Sequence, residues 1–338
     1  MDTNPLASAL ASIDLGPLVN IQNLTMIPLV ARAPGSGRTS SAAVDYLLLD
    51  EALASGLAEI TEVSEQGSVP DLKFINRGPK PVLIVDGEEL VGAKQNRIVN
   101  LTILVPAESE LTIPVSCVEA GRWRSRSRAF TSAPRTQFAA GRAKRMASVS
   151  YSMVARGDRM SDQAEVWDDI AAKSSRLKAE SPTSAMEAIF SAHAGSLDTF
   201  VAGCRPVEGQ VGALFAINGR VVGFDLFDRP STLRQMLPKL VRGVAVDAID
   251  AGESTSDGDA TDRVAPGFSG AEGSAKGARQ PSLLGAQAAQ FLAVTAQAPQ
   301  HVSPALGLGE DRRLTAPHMA GAALVTAQQV VHLSAFAL

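Results

Sequence analysis

A chain of 338 residues with 45% apolar content can bury a sizeable core, which excludes disorder throughout and allows one large domain or two ordinary ones. The formal charge of −4 commits the protein neither to nucleic acid nor to an anionic membrane, so a charge-driven partner must be read locally. No run approaches the roughly 20 apolar residues of a spanning helix, the start Met1-Asp2-Thr3-Asn4-Pro5 lacks a basic leader region, and Cys117 and Cys204 suit neither a disulfide scaffold nor a zinc site, so a cytoplasmic protein with reduced thiols and no membrane is expected.

Between about Asn23 and Val118, short apolar runs at 24–30, 46–49, 60–63, 72–75, 82–85, 98–105 and 111–115 alternate with turn signals. Their β-branched content and period-two spacing predict strands, with Asp86-Gly87 as a hairpin turn. One short helix is expected to interrupt them, capped by Asp50 and ending near Gly56. After Gly121 the pattern changes. Asp162 and Glu165 have N-cap and N3 spacing, and Val166, Ile170 and Leu177 recur at helical intervals, which predicts an amphipathic helix over 163–178. The runs 212–217 and 221–227 flank Asn218-Gly219, two residues that tolerate positive φ, and so predict a β-hairpin. A helix follows, capped by Asp228 or Ser231, with Leu233, Met236, Leu237, Leu240, Val241 and Val244 as its apolar face and a kink at Pro238.

Residues 251–281 are rich in Gly, Ser, Ala and Asp with only Val264 and Phe268 as large apolar residues, too few to offset ordering entropy, so a disordered insertion is expected. A helix at 283–294 and a closing hairpin from 322–325 and 330–335 around Gln328-Gln329 complete the chain. So apolar a final strand should join the first sheet. The predicted fold class is α+β: mainly antiparallel sheet with a few packed helices, one globular body over 17–338, with 122–160 expected as a basic, mobile connector.

The familiar catalytic signatures are near misses. Gly87 to Gly92 has P-loop glycine spacing, but Ala93 precedes Lys94 and Gln95 replaces the hydroxyl that would hold magnesium. Cys117 and Arg122 are separated by four residues where the cysteine phosphatase loop has five, and no histidine precedes the cysteine; a buried structural thiol is the alternative. His193, His301, His318 and His332 show no zinc-site spacing, and Gly307-Leu308-Gly309 runs on to Arg312, which breaks the dinucleotide pattern. No metal and no particular cofactor is implied.

Two features survive. Lys94, Gln95, Asn96 and Arg97 put two cations and two amides between apolar strands, either as a solvated loop or as a site that recognises phosphate, carboxylate or a base edge. The run Arg122-Trp123-Arg124-Ser125-Arg126-Ser127-Arg128, continued by Arg135, Arg142, Lys144, Arg145 and Arg156, has no acid between Glu119 and Asp158. It either tracks a phosphate backbone with Trp123 as a stacking platform or is a flexible basic connector. Trp123 and Trp167 are core residues or pocket walls.

Taken together, 85–97, Val105-Pro106, 114–119 and Gly121-Arg122-Trp123 resemble the ADP-ribosylglycohydrolase- and rhodanese-phosphatase-associated protein family. Gln163-Ala164-Glu165-Val166-Trp167, 218–223, Asp225-Leu226-Phe227 and 332–336 extend the likeness over nearly the whole chain apart from 251–281. The resemblance implies a neighbourhood and no reaction: companions that remove ADP-ribose or handle phosphoryl groups imply a ligand related to NAD, ADP-ribose or another nucleotide.

The candidate site is therefore Lys94, Gln95, Asn96, Arg97, Arg122, Trp123, Gln163 and Trp167, with cations for phosphate, amides for base or ribose, and indole for stacking. Glu119, between the strand ending near Val118 and the Gly121 turn, is the candidate general acid or base if chemistry occurs. Two alternatives stay open: a nucleic-acid or protein-interaction module using Arg122 to Arg145, and a regulatory scaffold without a ligand.

Overall fold

Strand-forming runs at both ends of the chain enclose a helical middle in this computed structural model, which describes residues 4–32, 44–256 and 283–338. The first half opens with α1 (Pro5–Ala11), β1 (Ile13–Leu15), β2 (Val19–Ile21) and β3 (Leu24–Ala31), then β4 (Leu47–Leu48), α2 (Leu49–Ala54), β5 (Ala58–Glu62) and β6 (Asp71–Asn76). It continues through β7 (Val82–Ile84), β8 (Glu88–Gly92), β9 (Arg97–Val99), β10 (Ile103–Val105), β11 (Ser109–Cys117) and β12 (Phe130–Thr136). Helices α3 (Ala139–Arg156), α4 (Gln163–Arg176), α5 (Glu187–Ala192) and α6 (Ala194–Gly203) follow. The chain ends with β13 (Gln210–Ile217), β14 (Arg220–Phe227), α7 (Pro230–Ser256), α8 (Leu283–Gln297), β15 (Gln300–Pro304), β16 (Glu310–Ala316), β17 (Met319–Thr326) and β18 (Gln329–Ala337).

The architecture is α+β, with helices packed on antiparallel sheets in a single body. A nine-stranded sheet runs β1-β3-β13-β14-β18-β17-β16-β15, with β2 also on β3; a six-stranded sheet runs β12-β8-β9-β11-β6-β5; a three-stranded sheet runs β10-β7-β4, where β4 and β7 are parallel. Helix α7 packs on β12 and β13 through the expected face, with Leu233, Met236, Leu237, Leu240, Val241 and Val244 all buried, each contributing roughly 1.5–3 kcal/mol. It passes Pro238 as one helix. Helix α3 packs on β17 and β18. No helix among the described residues is long and apolar enough to cross a membrane.

Local signals place several elements as expected. Asp162 caps α4, its Oδ1 accepting the N–H groups of Ala164 and Glu165 at 2.9 and 3.1 Å. Asn218 and Gly219, at φ 50° and 74°, turn β13 into β14. In α2 the cap differs: Asp50 lies in the first turn, and Glu51 Oε2 accepts the Leu48 N–H at 3.0 Å.

Other expectations change. Asp86-Gly87 is a turn, but it joins no hairpin: it hands the chain from β7 in the small sheet to β8 in the six-stranded one. The cause is the buried Asp86 side chain, which reaches two arginines of α3, and Gly87 is needed there because at φ 82° a Cβ would lie 3.0 Å from Arg142 Cδ. The single run expected at 98–105 breaks into β9 and β10 because the intervening polar groups bond sideways: Asn100 Oδ1 accepts from Ser116 Oγ at 2.6 Å and Thr102 Oγ1 meets His332 Nδ1 at 2.7 Å. The closing turn is Ala327-Gln328, at φ 46° and 65°, and β18 joins the nine-stranded sheet beside β14, sharing it with β3 but with none of β5 to β11.

Residues 122–160, expected as a basic connector, hold β12 and α3, and Arg135, Arg142 and Arg145 are buried because each finds a carboxylate there. The body also begins before residue 17, since Leu6, Leu10 and Ile13 are core residues. Of the insertion expected at 251–281, residues 251–256 finish α7 and the rest lies outside the described residues.

Candidate functional site

The turn from β8 to β9 presents four polar side chains to the far end of β11, where Cys117, Glu119 and the Arg122-Trp123 turn lie. Arg122 clasps the two segments: its Nη1 donates to Ala93 O at 2.6 Å, and its Nη2 to Asn96 Oδ1 at 3.2 Å and to Glu119 Oε2 at 2.6 Å. Glu119 also accepts the Asn96 N–H at 3.2 Å and the Thr183 hydroxyl at 2.9 Å. Burial pushes the Glu119 carboxyl up, but hydrogen bonds from Arg122, Thr183 and Asn96 outweigh it and hold the pKa below the ordinary glutamate value. Both its oxygens are thus engaged within the protein. Gln95 Nε2 adds a bond to Glu119 O at 3.0 Å.

Arg97 sits in the middle of this frame with 0% of its surface exposed. Its Nη1 donates to Gln95 Oε1 at 3.0 Å and Asn96 O at 3.4 Å, but Nε and Nη2 have no acceptor and the guanidinium makes no ion pair among the described residues. Three neighbouring nitrogens, Asn96 Nδ2, Arg122 Nε and Trp167 Nε1, are likewise buried without a partner. All five are donors. A lost donor bond costs about 1–3 kcal/mol and an isolated buried charge several kcal/mol more, and donors concentrated in this way are chemically suited to an acceptor-rich anion. Burial pushes the Arg97 pKa down, opposed by the neighbouring Cys117 and Glu62.

Trp123 forms the outer wall and is 48% exposed. Lys94 Nζ lies 5.3 Å and Arg97 Cζ 5.8 Å from its ring centroid, within the range of cation–π attraction. Lys94 Nζ also donates to Glu65 O at 2.5 Å. On the inner side, Gln163 pairs with the backbone of Cys117, accepting its N–H at 2.8 Å and donating to its carbonyl at 2.9 Å. Trp167, one turn further along α4, approaches the Cys117 thiol without completing a hydrogen bond. Cys117 Sγ donates to Gln95 Oε1 at 3.2 Å, and burial pushes the thiol up.

The structure therefore brings Lys94, Gln95, Asn96, Arg97, Glu119, Arg122, Trp123, Gln163 and Trp167 into one neighbourhood. Sequence reasoning missed Glu62, at the end of β5, whose Oε1 accepts the Lys94 N–H at 3.2 Å while Oε2 is buried without a partner. Only pairing of β5 into the six-stranded sheet puts it there, so no local signal marked it.

A second charged cluster was also missed. Arg142 Nη2 donates to Asp225 Oδ1 at 2.8 Å and Asp86 Oδ1 at 3.0 Å, and Nη1 donates to Asp225 Oδ2 at 3.0 Å. Arg145 reaches Asp86 Oδ2 at 3.3 Å, and His332 Nε2 lies 3.1 Å from Asp225 Oδ1. Ligand atoms of Asp86, Asp225 and His332 come within 4.8 Å of one another, as metal ligands would, but the cation between the two carboxylates is Arg142 itself. Next along the chain, Glu88 binds Lys239 at 2.7 Å and Glu89 binds Arg135 at 2.5 Å. The Asp86-Gly87-Glu88-Glu89 run thus sends three carboxylates to α3, α7 and β12. A lone ionisable residue inside an apolar run, as in Phe224-Asp225-Leu226 or Val331-His332-Leu333, was the available signal, because such a residue is buried only with a partner.

A family model described as the ARG and Rhodanese-Phosphatase-superfamily-associated Protein domain matches residues 12–336, and the chain belongs to that family. No curated protein and no solved structure matches.

Proposed function

We propose that this member of the family binds a small anionic, nucleotide-like metabolite of the NAD or ADP-ribose kind at Arg97. The observation that carries the proposal is the fully buried Arg97 guanidinium with two unpartnered N–H donors and no carboxylate in ion-pairing contact among the described residues. A phosphate would take those donors together with Asn96 Nδ2 and Trp167 Nε1, restoring the pairing that a buried charge requires. Half-exposed Trp123 would stack the base, with Lys94 at the rim. Gln95 orients Arg97 through its Oε1. Glu119 and Arg122 hold the frame, so in this reading Glu119 positions the binding groups and moves no proton. The family's association with ADP-ribosylglycohydrolase and rhodanese-phosphatase proteins supports the ligand class. Two buried free thiols suit a reducing compartment, and we place the protein in the cytoplasm.

Arg124, Arg126 and Arg128 are exposed beside Trp123 and make no ion pairs among the described residues, which favours a nucleic-acid strand as the second reading. A thermal-shift panel with NAD, ADP-ribose, AMP, ATP and a short single-stranded oligonucleotide separates the two. A ligand at 100 times its Kd stabilises by about 2.7 kcal/mol. Selective stabilisation by a mononucleotide or ADP-ribose, lost in Arg97→Met, is expected. Stabilisation by the oligonucleotide alone, steeply weakened by salt, would overturn the pocket reading, as would equal shifts in wild type and Arg97→Met.

A further inference from the structure

We infer that the Arg97 site has a second, opposite pole, Glu62, which accepts hydroxyl groups and so selects a phosphate carried on a vicinal diol over a bare anion. The inference rests on the anion-binding reading of Arg97 and adds to it the part of the ligand next to the phosphate.

The five orphan nitrogens around Arg97 are all donors, but the neighbourhood also contains one orphan acceptor, Glu62 Oε2. Its companion oxygen accepts the Lys94 N–H at 3.2 Å, which leaves Oε2 as the oxygen without a partner. Gly67 shows where this free oxygen lies. A Cβ built there would sit 3.1 Å from Lys94 Cδ, 3.2 Å from Glu62 Oε2 and 3.4 Å from Trp123 Cζ2. The free carboxylate oxygen, the Lys94 stem and the edge of the indole therefore lie close together, packed against Gly67, where a side chain would crowd all three and where, at φ 76°, other residues are strained.

An ionised carboxylate only accepts hydrogen bonds, whereas Arg97, Asn96 and Trp167 only donate through their free atoms. No single phosphate can serve both poles, because Glu62 would repel it. A ligand that satisfies both carries acceptor oxygens at one end and hydroxyl donors at the other, with a flat group for Trp123. A ribose phosphate with its free 2′ and 3′ hydroxyls has this composition, and a carboxylate on ribose hydroxyls is a general way to read that sugar. A site that hydrogen-bonds a hydroxyl also rejects the analogue lacking it, since the acceptor is then left buried and unpaired.

The test measures affinities of the full chain for AMP, 2′,3′-dideoxy-AMP and inorganic phosphate by calorimetry, in wild type, Glu62→Gln, Glu62→Ala and Arg97→Met. Wild type is expected to prefer AMP over its dideoxy analogue by about tenfold or more. In Glu62→Ala that preference should collapse while affinity for the dideoxy compound is kept or improved, because a repulsive charge has gone. Glu62→Gln, which preserves shape and Lys94 contact, should show a reduced preference and guards against loss of fold in the alanine variant. An unchanged preference in both variants, or equal loss of both nucleotides, would overturn the role of Glu62 while leaving the anion site standing. Failure of wild type to bind any of the three, or binding unaffected by Arg97→Met, would instead remove the anion site and the inference with it.

Discussion

Arg97 and Arg142 are both sealed from solvent, yet they are treated oppositely by their surroundings. Arg142 spans two carboxylates, with Asp225 held bidentately and Asp86 alongside, and its guanidinium also lies 4.6 Å from the Phe336 ring centroid. Arg97 has amide oxygens, a thiol and the face of Trp123 as company, and two of its nitrogens have nothing to donate to among the described residues. Burial of charge is thus common to both, and completeness of pairing separates them. The Arg142 guanidinium itself is fully paired and ties α3 to β14, although Arg145 Nη1 and Gln137 Nε2 beside it are buried without a partner, whereas at Arg97 the free donors are on the guanidinium itself. A buried ionic group that is fully paired reads as a strut, and one left with several free donors of a single kind reads as a site.

The most severe way to probe this contrast is to remove the fully paired cation. Arg142→Met should lose about 3–5 kcal/mol of unfolding free energy, because Asp86 and Asp225 would be left as buried charges short of their main partner. Urea denaturation measures it. The double replacement of Arg142 by Met with Asp225 by Leu should recover much of that loss, since the uncompensated charge goes with its partner.

Acid titration probes the same cluster with a smaller effect. Burial alone would raise the Asp225 carboxyl, but Arg142 and His332 outweigh it, and the pKa lies below the ordinary aspartate value; Asp86 is depressed in the same sense by Arg142 and Arg145. Folded-state values below the unfolded value of about 3.9 mean that this stabilisation is fully present above that pH and is lost as pH falls through it toward the depressed folded values. Each unit of depression corresponds to about 1.4 kcal/mol. Glu89 acts with opposite sign: its burial raises its pKa despite Arg135, so its contribution is present in acid and lost as pH rises through the raised value. Wild type should therefore show a falling stability below about pH 4 that is shallower in Arg142→Met, read by denaturation at a series of pH values. Parallel slopes would mean that the cluster does not control acid stability.

What the sequence could convey about these two clusters follows from how each is assembled. Lys94 to Arg97 and Arg122-Trp123 stand out because polar residues interrupt strand patterns in short stretches, and the convergence of the two stretches follows from β9 pairing with β11, Arg97 opposite Cys117. Glu62 is invisible by that route: an acid at the end of an alternating strand looks solvated until β5 is placed beside β6. Arg142 and Arg145 fall in a run without acids, which reads as a basic stretch or connector, yet their carboxylates come from residues 86 and 225, far away in the chain. Helices and hairpins with local capping or turn chemistry, such as Asp162 and Asn218-Gly219, were legible; the division of strands among three sheets was not, since it depends on where side chains such as Asp86 and Asn100 find partners.

The mildest change gives the sharpest discrimination. Replacing Arg97 by Met removes a buried charge that has no ionic partner among the described residues, and substitutes an apolar side chain of similar length. The lost bonds, to Gln95 Oε1 and Asn96 O, are each worth about 1 kcal/mol. The desolvation penalty relieved is of several kcal/mol. The stability of the ligand-free protein should therefore change by no more than about 1 kcal/mol, or rise, while stabilisation by phosphate-bearing ligands disappears. A loss of the size expected for Arg142→Met would show that Arg97 is held by pairing as complete as that of Arg142, and the distinction between strut and site would fall.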